Sequence, residues 1–370
     1  MKILISSSDF NLERGGIQNT GYILAQYMSK DAEIISFCDA YGDSPVLPGV
    51  LNYKSKFMGK AYLLFSFFEL LSIYHKQRFD YALSTHYLNG FGLVFLKWFC
   101  GVRYGVMTHG NEVIMQDLDA GLIKRAKFAL FTKFIRKLTF RNATNIFSNT
   151  TFTASLVKNI CSNVSITVIH PPISMPPSTT TFANVKTHKL LTIGRLVKRK
   201  GCQDVIKSLP KVLEVYPDMK YVIAGEGEYE TELKSLVSKL KLNDNVIFKG
   251  RVSDDEKCNL LAECGLFVMP SFYIKEEGSV EGFGITFVEA NSFGKFVIST
   301  RSGGIPEAVI EGETGFLVAE HDIEGLSDAI LKFYSYDFQY KHEKCKEWAY
   351  EHFIGNIAKQ YIRSITIACS

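Results

Sequence analysis

The chain has 370 residues, of which 46% are hydrophobic and 22% are charged, and its formal net charge is +4. This composition excludes a disordered chain and a wholly membrane-embedded one, and the length favours two domains over a single core. Residues 1–170 carry 18 Lys and Arg against 11 Asp and Glu, whereas residues 171–370 carry 24 against 27. The first half is therefore basic, which favours an anionic surface or ligand near it.

Cysteine usage indicates the cellular compartment, and the length of the apolar runs indicates whether the chain can cross a membrane. The eight cysteines include no C-x-x-C pair, which favours free thiols in a reducing, cytoplasmic compartment. The N-terminus enters a strand-like run at once, without the features of a signal peptide. The longest apolar runs, at 61–73 and 91–100, are shorter than the ~20 residues needed to span a bilayer. We expect a protein that can touch a membrane but does not cross it.

Short β-rich runs alternate with helix-length spacers along the chain. Before residue 170 they are KILIS, AEIISF, DYALST, RYGVMTHG, TNIFSNT and SITVIH, and after residue 188 they are KLLTIG, KYVIAG, NVIFKG, LFVMPS, KFVIST and TGFLVA. Such alternation predicts βαβ units and a parallel sheet in each series. The proline-rich stretch HPPISMPPSTTTFANVKTHK between the series is the predicted linker. We predict an α/β fold of two Rossmann-like domains facing each other across a cleft.

Two sites in the first half follow predicted strands. Gly15 and Gly16 lie between the first strand and its helix, and His109 and Gly110 follow the strand RYGVMT. Ligands of open parallel sheets bind at the carboxyl ends of the strands, so these positions are candidates. A histidine at a strand end is about as often structural as functional, and both interpretations of His109 stay open.

The segment 122–142 predicts a basic amphipathic helix. It holds seven Lys and Arg, no acidic residue, and apolar residues at helical spacing. Such a helix can attach reversibly to an anionic bilayer, with Lys133, Arg136 and Lys137 expected to face the lipid. The alternative is a helix that packs within the domain and leaves its lysines in water.

In the second half, GRLVKRKG places Arg195 directly after a strand and Lys200 before a helix predicted to begin near Gly201. A guanidinium and an ammonium there can bind neighbouring oxygens of a diphosphate. A solvated basic loop is the alternative. The AGEG that follows lacks the third glycine of the dinucleotide fingerprint, so we expect a tight turn there.

The segment EGFGITFVEA places Glu281 and Glu289 on either side of a predicted helix start. Gly282, Phe283 and Gly284 lie at that start, where backbone N–H groups and the helix dipole favour an anion. Glu289, about two turns further, suits ribose hydroxyls, and Glu281 would lie beside the group on the far phosphate. The interval therefore matches a nucleotide diphosphate, the alternative being two surface glutamates near a turn.

Together these segments resemble the retaining, nucleotide-sugar-dependent glycosyltransferases of family 4 (glycosyl transferases group 1), which have the GT-B fold. The matching motifs, in order, are the Gly-Gly first loop, the His-Gly strand end, the proline-rich linker, GRLVKRKG, AGEG, EGFGITFVEA and GGIPE followed by GETGFLV. The resemblance implies an acceptor-side domain at 1–173 and a nucleotide-sugar domain at 174–349. It also implies a C-terminal helix, 350–370, that packs back on the first domain.

The resemblance also implies site residues. They are Arg195 and Lys200 for the diphosphate, Glu289 for the ribose, Glu281 and His109 for the transferred sugar, and Gly16, Gly282, Phe283 and Gly284 for donor contacts at the loops. Glu281, His109, Lys200 and Arg195 are the implied catalytic set. No metal or other cofactor is implied. Asp117 and Asp119 have the D-x-D spacing of metal-dependent glycosyltransferases of another fold, but they lie away from the donor motifs, so we predict no metal there.

The implied function is transfer of a hexosyl or N-acetylhexosaminyl group from a UDP- or GDP-sugar, with UDP favoured and GDP left open. The expected acceptor is a lipid-linked or cell-surface polysaccharide, such as lipopolysaccharide O-antigen, at the cytoplasmic membrane's inner face. No nucleic-acid partner is expected. Two alternatives stay open: a nucleotide-sugar epimerase or hydrolase on the same fold, and a non-enzymatic nucleotide- or membrane-binding module.

Overall fold

The computed structural model describes residues 1–8, 16–38, 47–114, 123–174, 187–336 and 341–370. The chain divides into two compact units. The first comprises Met1–Ser174 with Ile354–Ser370, and the second comprises Met175–Phe353. Each unit has its own parallel sheet and its own hydrophobic core, which confirms the predicted α/β class with two Rossmann-like sheets.

The first unit contains a parallel sheet of seven strands in the order β3-β2-β1-β4-β5-β6-β7. The strands are β1 (Lys2–Ser7), β2 (Glu33–Cys38), β3 (Leu51–Lys54), β4 (Tyr81–Ser84), β5 (Arg103–Thr108), β6 (Asn145–Ser148) and β7 (Ile166–Val168). The helices are α1 (Gly16–Met28), α2 (Gly59–Gln77), α3 (Phe91–Cys100), α4 (Asn111–Ile114), α5 (Ile123–Asn142), α6 (Thr151–Ile160) and the C-terminal α13 (Ile354–Cys369).

The second unit contains a parallel sheet of six strands in the order β10-β9-β8-β11-β12-β13. The strands are β8 (Lys189–Ile193), β9 (Lys220–Ala224), β10 (Val246–Gly250), β11 (Leu266–Val268), β12 (Val297–Thr300) and β13 (Gly315–Val318). The helices are α7 (Cys202–Val215), α8 (Glu230–Lys239), α9 (Asp254–Glu263), α10 (Ile285–Ser292), α11 (Ile323–Ser335) and α12 (Lys341–Glu351).

Strand burial explains why the sequence predicted nearly every strand. Central strands such as β4 are buried along their whole length, because helices cover both faces of a parallel sheet and the strand must be apolar throughout. The exception is β3, whose sequence LNYK is largely exposed at the sheet edge. It has no apolar pattern, and the sequence did not predict it.

The C-terminal helix α13 belongs to the first unit. It packs against α1, and its Tyr361 ring lies 5.1 Å from the ring of Phe147 on β6. The backbone N–H of Ile354 donates to the carbonyl of Ile173 at 3.1 Å. A C-terminal helix that returns to the first domain was expected, and in the structure it begins at Ile354.

Helix α5 corrects one expectation about the basic segment. Arg136 is 3% exposed, and its Nη1 donates to the carbonyl of Val113 at the end of α4. This guanidinium therefore stabilises the protein interior and does not face a bilayer. Lys137 and Arg141 are exposed, and Lys133 is half-buried.

Several predicted features lie outside the described residues. They are Gly15, most of the predicted linker, and the Asp117 to Asp119 pair. Gly16 is the first residue of α1.

Both sheets reverse their strand order beside their first strand, between β1 and β4 and between β8 and β11. Such a switch point leaves a crevice at the carboxyl ends of the two strands, and ligands of this fold class bind there. In the second unit, the loops that follow β8 and β11 contain GRLVKRKG and the segment that leads to Glu281. The predicted donor motifs therefore lie at the switch point of their own sheet.

Two glycines with the same φ allow the cost of a steric collision to be measured apart from the cost of a left-handed backbone. Gly201 and Gly312 both have φ of 75°, but a Cβ on Gly201 would lie 2.1 Å from the Pro270 carbonyl oxygen, whereas nothing lies within 4 Å at Gly312. We expect Gly312→Ala to lower the free energy of unfolding by about 1 kcal/mol and Gly201→Ala by about 3 kcal/mol or more, because only the second adds a collision. Urea unfolding measures both, and equal losses would contradict the close approach of these loops.

Candidate functional site

The loop after β8 is fixed by its neighbours before it reaches the basic residues. The N–H of Leu196 donates to the carbonyl of Glu226 at 2.9 Å, and the N–H of Phe272 donates to the carbonyl of Arg199 at 2.9 Å. A 3-10 turn over Lys198–Lys200 then ends at Gly201. These contacts hold the backbone of the loop against the loops that follow β9 and β11.

Two cations of this loop bind one carboxylate. Arg199 Nη1 lies 2.7 Å from Glu281 Oε2, and Lys200 Nζ lies 2.6 Å from the same oxygen. The side chains are 10%, 11% and 13% exposed for Arg199, Lys200 and Glu281 respectively. We call these three residues the buried cluster, and it carries a formal charge of +1.

The electrostatics of the buried cluster keep Glu281 ionised. Burial alone would raise the pKa of Glu281, but the charges of Lys200 and Arg199 and their hydrogen bonds lower it to about 2. Burial lowers the pKa of Lys200, an effect that Glu281 opposes and Arg199 reinforces. At neutral pH the carboxylate therefore serves as an acceptor and a negative charge, not as an acid.

Close backbone packing holds Glu281 in place. Its carbonyl accepts a hydrogen bond from the N–H of Gly304 at 3.0 Å, and a Cβ on Gly303 would lie 2.6 Å from that carbonyl oxygen. The close approach of Gly303 to the backbone of Glu281 therefore positions the carboxylate.

Unpaired polar atoms gather in the loops of this crevice. Among the described residues, the buried side-chain atoms without a hydrogen-bond partner include Arg199 Nε, Ser271 Oγ, Thr286 Oγ1 and Ser302 Oγ. They lie on the loops after β8, β11 and β12 and in the first turn of α10. Buried polar groups are rarely left unpaired, so this concentration is typical of a site that takes a polar ligand or ordered water.

The second predicted carboxylate has a different partner. Glu289 lies on α10, where its Oε1 is 2.7 Å from Lys257 Nζ on α9. Helix α10 begins after Gly284, whose φ is 98°. Glu289 therefore lies about 6 Å along the helix from Ile285, at ~1.5 Å per residue, which is about one turn and not the two turns expected from the sequence. Lys257 was not singled out from the sequence.

Phe283 does not present its ring to a ligand. Its side chain is 2% exposed and stacks on His352 with ring centroids 5.5 Å apart. His352 in turn contacts Trp348, whose indole N–H donates to the carbonyl of Ala308 at 2.9 Å. The ring anchors the Gly-Phe-Gly turn to the protein, so that a donor contact of Phe283 would have to come from its backbone.

The structure divides the predicted cations. Arg195 is exposed on the loop, whereas Lys200 contacts Glu281 directly. Arg199, which sequence analysis passed over, binds the same carboxylate as Lys200. Two adjacent basic residues looked like a solvated run, and burial could not be deduced from their order alone.

The candidate His109 of the first unit follows the carboxyl end of β5 and contacts the residue that follows β4. His109 Nε2 lies 3.1 Å from the carbonyl oxygen of Thr85, and its backbone N–H donates to the Glu112 carboxylate. Asn149 Nδ2 donates to the carbonyl of His109 at 3.0 Å. Nearby, burial lowers the pKa of His86 to about 4, so that this imidazole is neutral at neutral pH.

Removing the carboxylate of the buried cluster should destabilise the second unit. We expect Glu281→Gln to lower the free energy of unfolding by about 3–5 kcal/mol at neutral pH, because two buried cations lose their counterion. Glu263→Gln, which removes an exposed pair with Lys189, is the control and should cost about 1 kcal/mol or less.

The pH dependence follows from the lowered pKa of Glu281. A folded-state pKa of about 2 against an ordinary 4.5 gives a stabilisation that is complete above the unfolded value and is lost as the pH falls through the folded one. The difference between wild type and Glu281→Gln should therefore shrink from pH 4.5 towards pH 2. A difference that stays constant across this window in urea titrations would contradict the buried cluster.

Comparisons with known proteins agree with the motifs. Residues 180–352 match the family described as glycosyl transferases group 1. Over 139 residues the chain is 37% identical to the GDP-mannose-dependent monoacylated alpha-(1-6)-phosphatidylinositol monomannoside mannosyltransferase of Corynebacterium glutamicum. That match covers 38% of this chain and spans only 36% of the length of the relative.

Two solved structures cover nearly the whole chain. Anabaena HepE, crystallised in complex with UDP, has a TM-score of 0.76 at 17% identity and covers 99% of this chain and 100% of its own. The sucrose-phosphate synthase of Thermosynechococcus elongatus has a TM-score of 0.77 at 16% identity, with both chains covered to 100%. Likeness at these identities establishes the fold. The chain has the GT-B fold that its motifs predicted, and residues 180–352 are similar to the glycosyl transferases group 1.

Proposed function

We propose that the protein is a retaining glycosyltransferase that moves a sugar from a UDP- or GDP-linked donor to a lipid-linked or cell-surface polysaccharide acceptor. The observation that carries the proposal is the buried cluster, in which Arg199 and Lys200 meet Glu281 at the switch point of the second sheet. It lies within the segment that matches the family. Buried cations beside a fixed carboxylate suit a leaving diphosphate and a sugar that develops positive charge.

The donor diphosphate would bind Lys200 and Arg195, with the start of α10 contributing backbone N–H groups. Lys200 is already desolvated, because its side chain is buried, so an incoming diphosphate would gain a strong contact without removing much water. Arg195, exposed on the same loop, would close over the phosphates. The unpaired Arg199 Nε and Ser302 Oγ offer further donors to the bound anion.

The ribose would bind Glu289 on α10. A carboxylate accepts hydrogen bonds from two neighbouring hydroxyls, and Glu289 lies about 6 Å along α10 from the helix start, where the diphosphate would bind. Lys257 would then share this carboxylate with the ligand. Its ammonium lies 2.7 Å from Glu289 Oε1 and would hold the carboxylate in place for the donor.

The transferred sugar would lie beside Glu281. Both cations bind Oε2, and the structure describes no hydrogen bond to Oε1, which is available to sugar hydroxyls. Because its pKa is about 2, Glu281 would supply negative charge as the bond from the anomeric carbon to phosphate breaks. The acceptor oxygen would attack from the same face and pass its proton to the departing phosphate. We also propose His109 as a residue for the transferred sugar, the role that the resemblance implies.

The acceptor and the location rest on charge and on relatives. The name of the Corynebacterium relative states a phosphatidylinositol mannoside acceptor and a GDP-mannose donor. The acceptor supports a lipid-linked acceptor here, and the donor makes a GDP-sugar as good a candidate as the UDP-sugar that the sequence favoured. Within the described residues, no helix is long and apolar enough to cross a membrane. We propose a cytoplasmic protein that attaches peripherally to the inner face of the membrane.

Acceptor-dependent release of nucleotide tests the function. A panel of UDP- and GDP-sugars, offered with and without lipid-linked glycan acceptors, should give turnover that requires the acceptor and persists in EDTA, because cations of the protein stabilise the leaving diphosphate. Release of free nucleotide at the same rate without any acceptor would favour the hydrolase alternative. Loss of turnover in EDTA, restored by magnesium or manganese, would contradict metal-free transfer.

Nucleotide binding tests the donor residues separately. We expect Arg195→Ala and Glu289→Ala each to weaken UDP or GDP binding by about 10-fold or more, since a charge-assisted hydrogen bond contributes about 1.5–3 kcal/mol. Arg251→Ala is the control, because Arg251 is an exposed arginine just after β10, at the edge of the same sheet. Calorimetry should separate the variants, and equal affinities in all three proteins would remove Arg195 and Glu289 from the site.

A further inference from the structure

Exposed apolar side chains concentrate on three helices of the first unit. Of the seventeen large hydrophobic side chains exposed in the described chain, eight lie on α2, α3 and α5. Helix α2 packs against α3, and α3 packs against α5. Scattered exposed apolar residues are ordinary, but a concentration on adjacent helices marks an interaction surface.

The centre of this surface is a set of five side chains that we call the aromatic ridge. They are Leu64, Phe65 and Phe68 of α2, exposed by 65%, 42% and 62%, and Trp98 and Phe99 of α3, exposed by 53% and 73%. The opposite sides of the same helices are buried in the core, for example Leu70 and Leu93. The ridge is therefore an outward face that folding of the first unit does not use.

Aromatic contacts beneath the ridge hold it in one arrangement. The half-buried Phe67 ring lies 5.3 Å from Phe68 and 5.6 Å from Phe99, measured between centroids. It also lies 5.7 Å from Phe95, which lies 5.5 Å from Trp98. These ring pairs join α2 to α3, so the exposed rings are presented by a packed base.

Helix α5 adds a second apolar group with cations beside it. Leu130, Phe131 and Phe134 are exposed by 67%, 43% and 61%. Further along α5, Lys137 and Arg141 are exposed, and the sequence of α5 contains no acidic residue.

The ends of α3 and α5 are joined through Asn142. Trp98 Nε1 donates to Asn142 Oδ1 at 2.9 Å, and Lys97 Nζ donates to the Asn142 carbonyl at 2.7 Å. The polar edge of the indole thus lies at the cationic end of α5, while the ring belongs to the apolar ridge. An indole with one polar and one apolar side favours the boundary between lipid headgroups and acyl chains.

Charge decides which partner fits this surface. The first unit carries 20 Lys and Arg against 11 Asp and Glu, whereas the second carries 22 against 27. In a symmetric dimer the same patch would face itself, so the cations of α5 would meet their own copies. An anionic bilayer complements both the cations and the apolar rings.

We propose that the aromatic ridge, together with Leu130, Phe131 and Phe134, inserts shallowly into an anionic lipid surface while the cations of α5 contact its headgroups. This assignment rests on the proposed peripheral attachment and moves its centre from the basic segment to α2 and α3. Attachment then requires both parts: apolar insertion through the ridge and electrostatic attraction through α5. Lipid affinity should fall with salt, because the headgroup contacts are screened.

Vesicle binding by the full chain tests the ridge. We expect sedimentation with vesicles of phosphatidylcholine and phosphatidylglycerol, and little with phosphatidylcholine alone. Phe68→Ser and Phe99→Ser should each weaken binding about 10-fold, since burying one phenylalanine side chain contributes about that factor or more. Ile367→Ser is the matched control, because Ile367 is 67% exposed on α13 of the same unit and lies outside the proposed surface.

Tryptophan fluorescence locates the contact. The chain has two tryptophans, Trp98 and Trp348. Brominated phosphatidylglycerol vesicles should quench the emission of wild type, and Trp98→Phe, which keeps an apolar ring, should abolish the quenching while vesicle binding remains. Quenching that persists in Trp98→Phe would place the contact elsewhere.

Other outcomes would overturn the proposal. Equal vesicle binding by the ridge variants and Ile367→Ser would exclude the ridge. A wild-type dimer in sedimentation velocity that Phe68→Ser dissociates, with no vesicle binding, would assign the surface to a second copy. Calorimetry of the wild type with UDP and GDP distinguishes the failure of this proposal from the failure of the proposed function. If the wild type binds nucleotide but not vesicles, only the ridge is rejected. If the wild type binds neither UDP nor GDP, the donor site is rejected, whatever the result with vesicles.

Discussion

The salt bridges from Arg199 and Lys200 to one oxygen of Glu281 are the interaction on which the second unit's site depends. A carboxylate with two cations at 2.6–2.7 Å offsets the cost of burying three charges only if its geometry is kept. The loops after β8, β11 and β12 supply that geometry. Each loop is bonded to the next through backbone groups, so the charges meet in only one arrangement of the three loops.

Glycine makes this arrangement sterically possible. A Cβ on Gly225 would lie 1.9 Å from the Gly194 carbonyl oxygen, and one on Gly227 would lie 2.2 Å from that of Leu196. The AGEG motif therefore supports the loop that carries the cations. The sequence predicted a tight turn at this motif. Several glycines in these motifs bring backbone to backbone, which positions the side chains that would contact a ligand.

Much of the fold was predictable because its signals are local. Apolar strands and helix-length spacers reveal a parallel sheet, since a strand covered on both faces must be apolar throughout. The edge strand β3 was not predicted, because its residues are largely exposed and form no apolar run. The site was less predictable than the fold. Arg199 was not predicted because its burial depends on Glu281, which lies 82 residues further along the chain. The stacking of Phe283 on His352 was also not predictable, because His352 lies about 70 residues further along the chain.

The two units differ in the sign of their net charge and in how far their cations are buried. The second unit has more acidic than basic residues, so its overall charge does not attract an anionic donor. If the proposed function holds, donor affinity would come from contacts shorter than the screening distance of about 8 Å at physiological salt, and the buried cations would supply such contacts with little interference from salt. In the first unit Lys137 and Arg141 of α5 lie at the surface, where screening is effective. Salt should therefore weaken a lipid contact much more than a nucleotide contact, because burial protects one set of charges and leaves the other in water.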